Sequence, residues 1–95
     1  KSYIWIKNNS PYPSDKIESV HIKYGDEEEY SVVDNYVYIE EGEERMFVVD
    51  SGNRVKIGIV TVDDEDFYSG YKDLVAGESY FLELPEDGTY FGFCD

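Results

Sequence analysis

The sequence predicts an all-β fold, an antiparallel sandwich of about seven or eight short strands, on three observations. Apolar residues recur at every second position, turn-forming residues interrupt them every 8 to 12 residues, and no window repeats apolar residues at helical spacing between a cap and a closing glycine. Ninety-five residues make one domain, covering 1–95, with enough chain to build a core without a metal or disulfide. Apolar residues at 41%, with 17% aromatics, argue against disorder despite a net charge of −14.

The elements follow in order. Tyr3 to Lys7 alternates, with Ile4 and Ile6 on one side, and stops at Asn8-Asn9-Ser10-Pro11. Pro11 and Pro13 deny ladder donors, so residues 8–16 read as a loop. Val20, Ile22 and Tyr24 alternate with Ser19, His21 and Lys23 in a half-buried second strand. An acidic turn over Gly25–Glu29 precedes a short strand or bulged continuation at Tyr30–Val33 that Asp34-Asn35 ends, and Tyr36–Ile39 follows with Val37 and Ile39 inward. Glu41-Gly42-Glu43 leads into Arg45–Val49, whose core pair is Phe47 and Val49.

The Asp50–Asn53 turn then makes a tight hairpin into Arg54–Val62, the longest run dominated by β-branched residues and the expected central strand. Val55, Ile57, Ile59 and Thr61 share one face, and Lys56, Gly58, Val60 and Val62 the other. Asp63–Asp66 is an acidic tip from which Phe67–Tyr71 returns as a strand. Leu74 and Val75 pack back before the turn Ala76-Gly77-Glu78; Tyr80, Leu82 and Leu84 then alternate inward, and Pro85–Gly88 turns into Thr89–Phe93. Gly42-Glu43 before Phe47 and Val49 is echoed 35 residues later by Gly77-Glu78 before Leu82 and Leu84, a likeness expected of generic hairpin entries.

This order resembles small immunoglobulin-like modules of secreted or lipid-anchored bacterial proteins. The residues that carry the likeness are the first strand ending in Asn8-Asn9-Ser10, then Ile17–Ile22, the Glu41-Gly42-Glu43 turn before Phe47 and Val49, and Val55–Val62 with its acidic hairpin to Tyr68. Glu41 or Ala76 stands where that pattern has a proline. The resemblance implies an extracytoplasmic setting (secreted, periplasmic or cell-surface), a role in binding or spacing through a protein or glycan contact, and no catalytic residues.

Chemistry in the residues is sparse. The first 24 residues sum to +2 and leave −16 for the rest, concentrated at residues 26–29, 40–44 and 63–66. Such a field repels nucleic acid and anionic membranes and attracts cations or basic proteins. No apolar run is long enough to insert in a membrane as a helix. With one cysteine, Cys94, there is no intramolecular disulfide, and a dyad of Cys94 with the single histidine, His21, would need a terminus to be held firmly. The chain therefore reads as non-enzymatic, with no cofactor expected.

One histidine and one cysteine cannot make a structural zinc site, which leaves calcium as the metal the acidic loops suit. Asp63, Asp64 and Asp66, with Glu65 between them and Asp26 and Glu27 as possible neighbours, supply hard oxygens, but the spacing is not that of an EF-hand. Tyr3, Trp5, Tyr36 and Tyr38 face away from Ile4, Ile6, Val37 and Ile39, and would form one aromatic strip for a ligand if their strands were neighbours. Two other readings compete with the binding or spacer module. One is a small acidic intracellular protein that blocks a basic nucleic-acid-binding surface, which requires the three acidic turns to line up on one side. The other is a calcium-dependent glycan-binding module.

Overall fold

The computed structural model describes residues 1–94. Nine strands are present among them: β1 (Ser2–Asn8), β2 (Ile17–Lys23), β3 (Ser31–Ile39), β4 (Glu44–Val49), β5 (Gly52–Thr61), β6 (Asp66–Tyr68), β7 (Lys72–Leu74), β8 (Ser79–Leu84) and β9 (Gly92–Phe93). The loop expected over residues 8–16 contains a single 3-10 turn at Pro13–Asp15, where the proline ring presets the first residue. The described residues contain no α-helix.

These strands form two packed sheets. One is four-stranded in the order β4-β1-β8-β9; the other runs β3-β2-β5-β6, with β7 also paired to β5. Alternation sets the core: Ile4, Ile6, Phe47, Val49, Leu82 and Leu84 from the first sheet meet Ile17, Ile22, Val37, Ile39, Val55, Ile57 and Ile59 from the second. Each such side chain contributes about 1.5–3 kcal/mol on removal from water. The expected central strand is central, since β5 pairs with β2, β6 and β7 and buries Val55, Ile57, Ile59 and Thr61 completely.

Five expectations change, two of them for the fold as a whole: nine strands are present among the described residues where seven or eight are expected, and β8 lies parallel to β1 in a sandwich expected to be antiparallel. The Asp50–Asn53 turn is not a hairpin: β4 pairs with β1, whereas β5 lies in the other sheet, so the link arches across the sandwich. Tyr24 Oη donates to the Asp50 carbonyl (2.7 Å) across that arch, and Lys1 pairs with the Asp50 carboxylate. Asp34-Asn35 does not end a strand, because β3 continues through it by register shifts against β2, with Tyr36 at φ 57° and Tyr38 at φ 49°. Val75 is exposed, and only Leu74 packs back.

The 35-residue echo has a structural counterpart. Gly42 at φ 82° donates its N–H to the Asn8 carbonyl, and Gly77 at φ 84° donates to the Lys1 carbonyl, both at 2.7 Å. The two turns thus clasp opposite ends of β1, and each leads into a strand beside it. β4 runs antiparallel and β8 parallel to β1. Both glycines hold the left-handed conformation that their turns require.

Candidate functional site

Register places three rows of side chains on the outer face of the four-stranded sheet. Tyr3 is opposite Val48 and Ser79; Trp5 is opposite Met46 and Phe81; Lys7 is opposite Glu44 and Glu83. The first two rows are apolar except for Ser79 and lie on the side away from the core. Met46 is 40% exposed, Phe81 48% and Val48 52%, while Trp5 stacks on Phe81 at 6.1 Å between centroids and 19° between planes. Gly92, opposite Glu83, has no side chain on this face, and the Tyr90 ring lies over it: an added Cβ would fall 2.6 Å from Tyr90 Oη. The charged row of Lys7, Glu44 and Glu83 bounds the patch at one end.

Tyr3 and Trp5 therefore belong to an aromatic face, but Tyr36 and Tyr38 do not share it. Their strand, β3, is an edge of the other sheet, so the four-residue strip expected from the sequence does not exist. Tyr36 and Tyr38 are both exposed and lie ring to ring at 6.3 Å, with Lys16 Nζ 5.8 Å from the Tyr38 centroid. Met46, Val48, Phe81 and Tyr90 take the places assigned to them. The signal for the first three was present, since each alternates with a core residue, Phe47, Val49 or Leu82.

The outer face of the five-stranded sheet differs. His21 is opposite Gly58, which is opposite Tyr68, and the Tyr30 ring meets Tyr68 at 4.9 Å. Together with Ile59, Val60 and Asp66 they line a hollow of about 220 Å³. His21 Nε2 is 2.8 Å from Ser19 Oγ. Burial raises the Tyr30 hydroxyl pKa above its ordinary value, with Tyr68 and Tyr71 adding to the rise; burial and then the Asp66 carboxylate raise that of Tyr68.

Asp63, Asp64, Glu65 and Asp66 form an exposed turn closed by Asp64 N–H to the Thr61 carbonyl (3.0 Å) and Thr61 N–H to the Glu65 carbonyl (2.9 Å). Asp66 enters β6 opposite Val60. Among the described residues no three His, Cys, Asp or Glu side chains are grouped to hold a metal ion. Asp26 and Glu27 follow the last residue of β2, whereas Ile17 at its start is opposite both Ile39 and Thr61. The turns at 40–44 and 63–66 thus share one end of the sandwich and the turn at 26–29 occupies the other, so Asp26 and Glu27 are not neighbours of the acidic tip. The alignment of all three turns that a nucleic-acid-like surface requires is absent. His21 lies at mid-sheet in β2, and the Cys94 N–H is bonded to the Phe81 carbonyl (2.7 Å) in the other sheet, so a dyad of the two is not formed.

The arrangement defines an all-β, two-sheet protein with one outer face apolar and aromatic and the other polar and tyrosine-lined. No family model and no curated protein sequence matches the chain. A solved structure, an NMR structure of a protein from Eubacterium rectale, is similar over 98% of this chain and 85% of that one, with a TM-score of 0.53 and 18% identity. Likeness at that identity shows the fold alone.

Proposed function

We propose that this protein is a non-enzymatic binding module whose partner is another protein, held against the outer face of the four-stranded sheet. The observation that carries the reading is the contiguous Tyr3, Trp5, Met46, Val48 and Phe81 surface bounded by Lys7, Glu44 and Glu83. Aromatic residues and methionine at the centre, with charge displaced to the rim, are what protein interfaces concentrate. Aliphatic Met46 and Val48 widen the surface beyond an aromatic platform for a sugar ring, which favours a protein over a glycan here. The net charge of −14 selects a partner with a basic rim around an apolar centre.

The immunoglobulin-like character belongs to this reading in the architectural sense, as a two-sheet sandwich of the kind many cell-surface domains share without sharing topology. An extracytoplasmic setting belongs to it too, and rests on the resemblance in strand and turn order. The test is affinity capture with the wild-type chain and with a Trp5→Ser, Val48→Ser, Phe81→Ser variant of verified fold. A partner retained by the first and lost by the second, with association slowed as salt is added, supports the reading. Equal retention by both would end it.

A further inference from the structure

We propose that the hollow over Gly58, on the outer face of the five-stranded sheet, binds one neutral pyranose ring of a glycan. Position 58 has no side chain, and the space above it is taken by tyrosine rings. A Cβ there would come within 3.0 Å of Tyr68 Cδ1 and 3.4 Å of Tyr30 Cε2, so the glycine lets both rings lean over the sheet centre. Beside the touching Tyr30 and Tyr68 rings is a depression lined also by His21, Gly58, Ile59, Val60 and Asp66.

Charge and size then select the ligand. An anion would face Asp66. A cation would meet a ring already engaged, because Lys23 Nζ lies 5.5 Å from the Tyr30 centroid, and Lys56 is opposite Lys23 in register. What remains is a neutral molecule with an apolar face and hydrogen-bonding edges. A pyranose has both, stacking its C–H face on a tyrosine ring and giving its hydroxyls to a carboxylate and an imidazole. The volume of about 220 Å³ is below the roughly 300 Å³ at which pockets for drug-sized ligands begin, and suits a single ring. His21 is suited to its part: Ser19 Oγ engages Nε2, and Nδ1 has no hydrogen-bond partner among the described residues, which leaves it for a ligand.

This site is on the opposite sheet from the proposed protein contact and does not depend on it. The experiment is titration of the isotope-labelled full chain with methyl glycosides of glucose, galactose, mannose and N-acetylglucosamine, read by NMR. At least one is expected to shift the His21, Tyr30, Gly58 and Tyr68 signals together and saturably, with a dissociation constant on the order of 1 mM, leaving Trp5 unmoved. Tyr68→Leu should weaken that binding at least about tenfold, and Asp66→Asn several-fold; both sites are exposed, so the fold should survive. Absence of such shifts up to about 100 mM sugar, shifts confined to Trp5 and its neighbours, or unchanged affinity in Tyr68→Leu would overturn the proposal. So would tetramethylammonium moving the same signals more strongly than every sugar.

Discussion

Asn8→Ala is expected to be among the most destabilising single changes in this chain, and its size follows from three hydrogen bonds. The Asn8 side chain is buried at the end of β1, where Nδ2 donates to the Asp15 carbonyl (2.9 Å) and the Ile39 carbonyl (3.0 Å) and Oδ1 accepts from Ser10 N–H (2.9 Å). It therefore ties the first sheet to the 3-10 turn and to the last residue of β3 in the second sheet. Alanine takes a donor from each of two carbonyls and the acceptor from one N–H, each loss costing about 1–3 kcal/mol when buried dry. Water entering the vacated amide space offsets part of that, leaving about 3–4 kcal/mol. Against a total of about 5–15 kcal/mol this is a large fraction. Urea denaturation should show the midpoint falling by about 2 M with little change in slope. Asn8→Asp keeps the bond from Ser10 but turns oxygen lone pairs toward two carbonyls, so at neutral pH it should be no more stable than the alanine variant. A midpoint shift under about 0.5 M for both variants would refute the latch.

Two further outcomes follow from the geometry. Tyr36→Asn should stabilise by roughly 0.5–1 kcal/mol in the same urea assay, because Tyr36 holds φ 57° with its ring 73% exposed, and asparagine tolerates that conformation better than tyrosine; a clear loss of stability would show that the Tyr36–Tyr38 contact outweighs the strain. In absorbance titration Tyr24, Tyr30 and Tyr68 should ionise above the ordinary value of 10.0, chiefly through burial. A phenol whose folded pKa is raised contributes stability that is complete below its unfolded pKa and is lost as pH rises through the folded one. Alkaline unfolding should therefore begin above pH 10, and Tyr24→Phe should shift its onset upward; an unshifted onset would remove Tyr24 from the account.

What was legible in the sequence was whatever period-two alternation controls. The inward sets of β1, β4, β5 and β8 could be read directly because one face of each is buried against the other sheet. Sheet membership could not be read that way. Asp50-Ser51-Gly52-Asn53 carries the chemistry of a hairpin, yet the same residues serve an arch, and only pairing with distant β1 decides that β4 belongs beside it. Asp34-Asn35 has turn propensity that the ladder with β2 overrides, at the expense of left-handed backbone at Tyr36 and Tyr38. The parallel pairing of β1 with β8 joins residues more than seventy positions apart and has no local signature. Hence Tyr3 and Trp5 face outward as their alternation requires, but Phe81 and Met46, not Tyr36 and Tyr38, are beside them.

Whether a protein docks on the outer face of the four-stranded sheet can be read by photo-crosslinking, with a benzophenone side chain placed at Phe81 in one variant and at Val62, exposed beyond the end of β5, in another. Position 81 is expected to give one discrete protein adduct, suppressed by excess wild-type chain but not by the Trp5→Ser, Val48→Ser, Phe81→Ser variant, and position 62 none. Equal adduct yields from both positions, or no protein adduct from position 81, would contradict docking on that face.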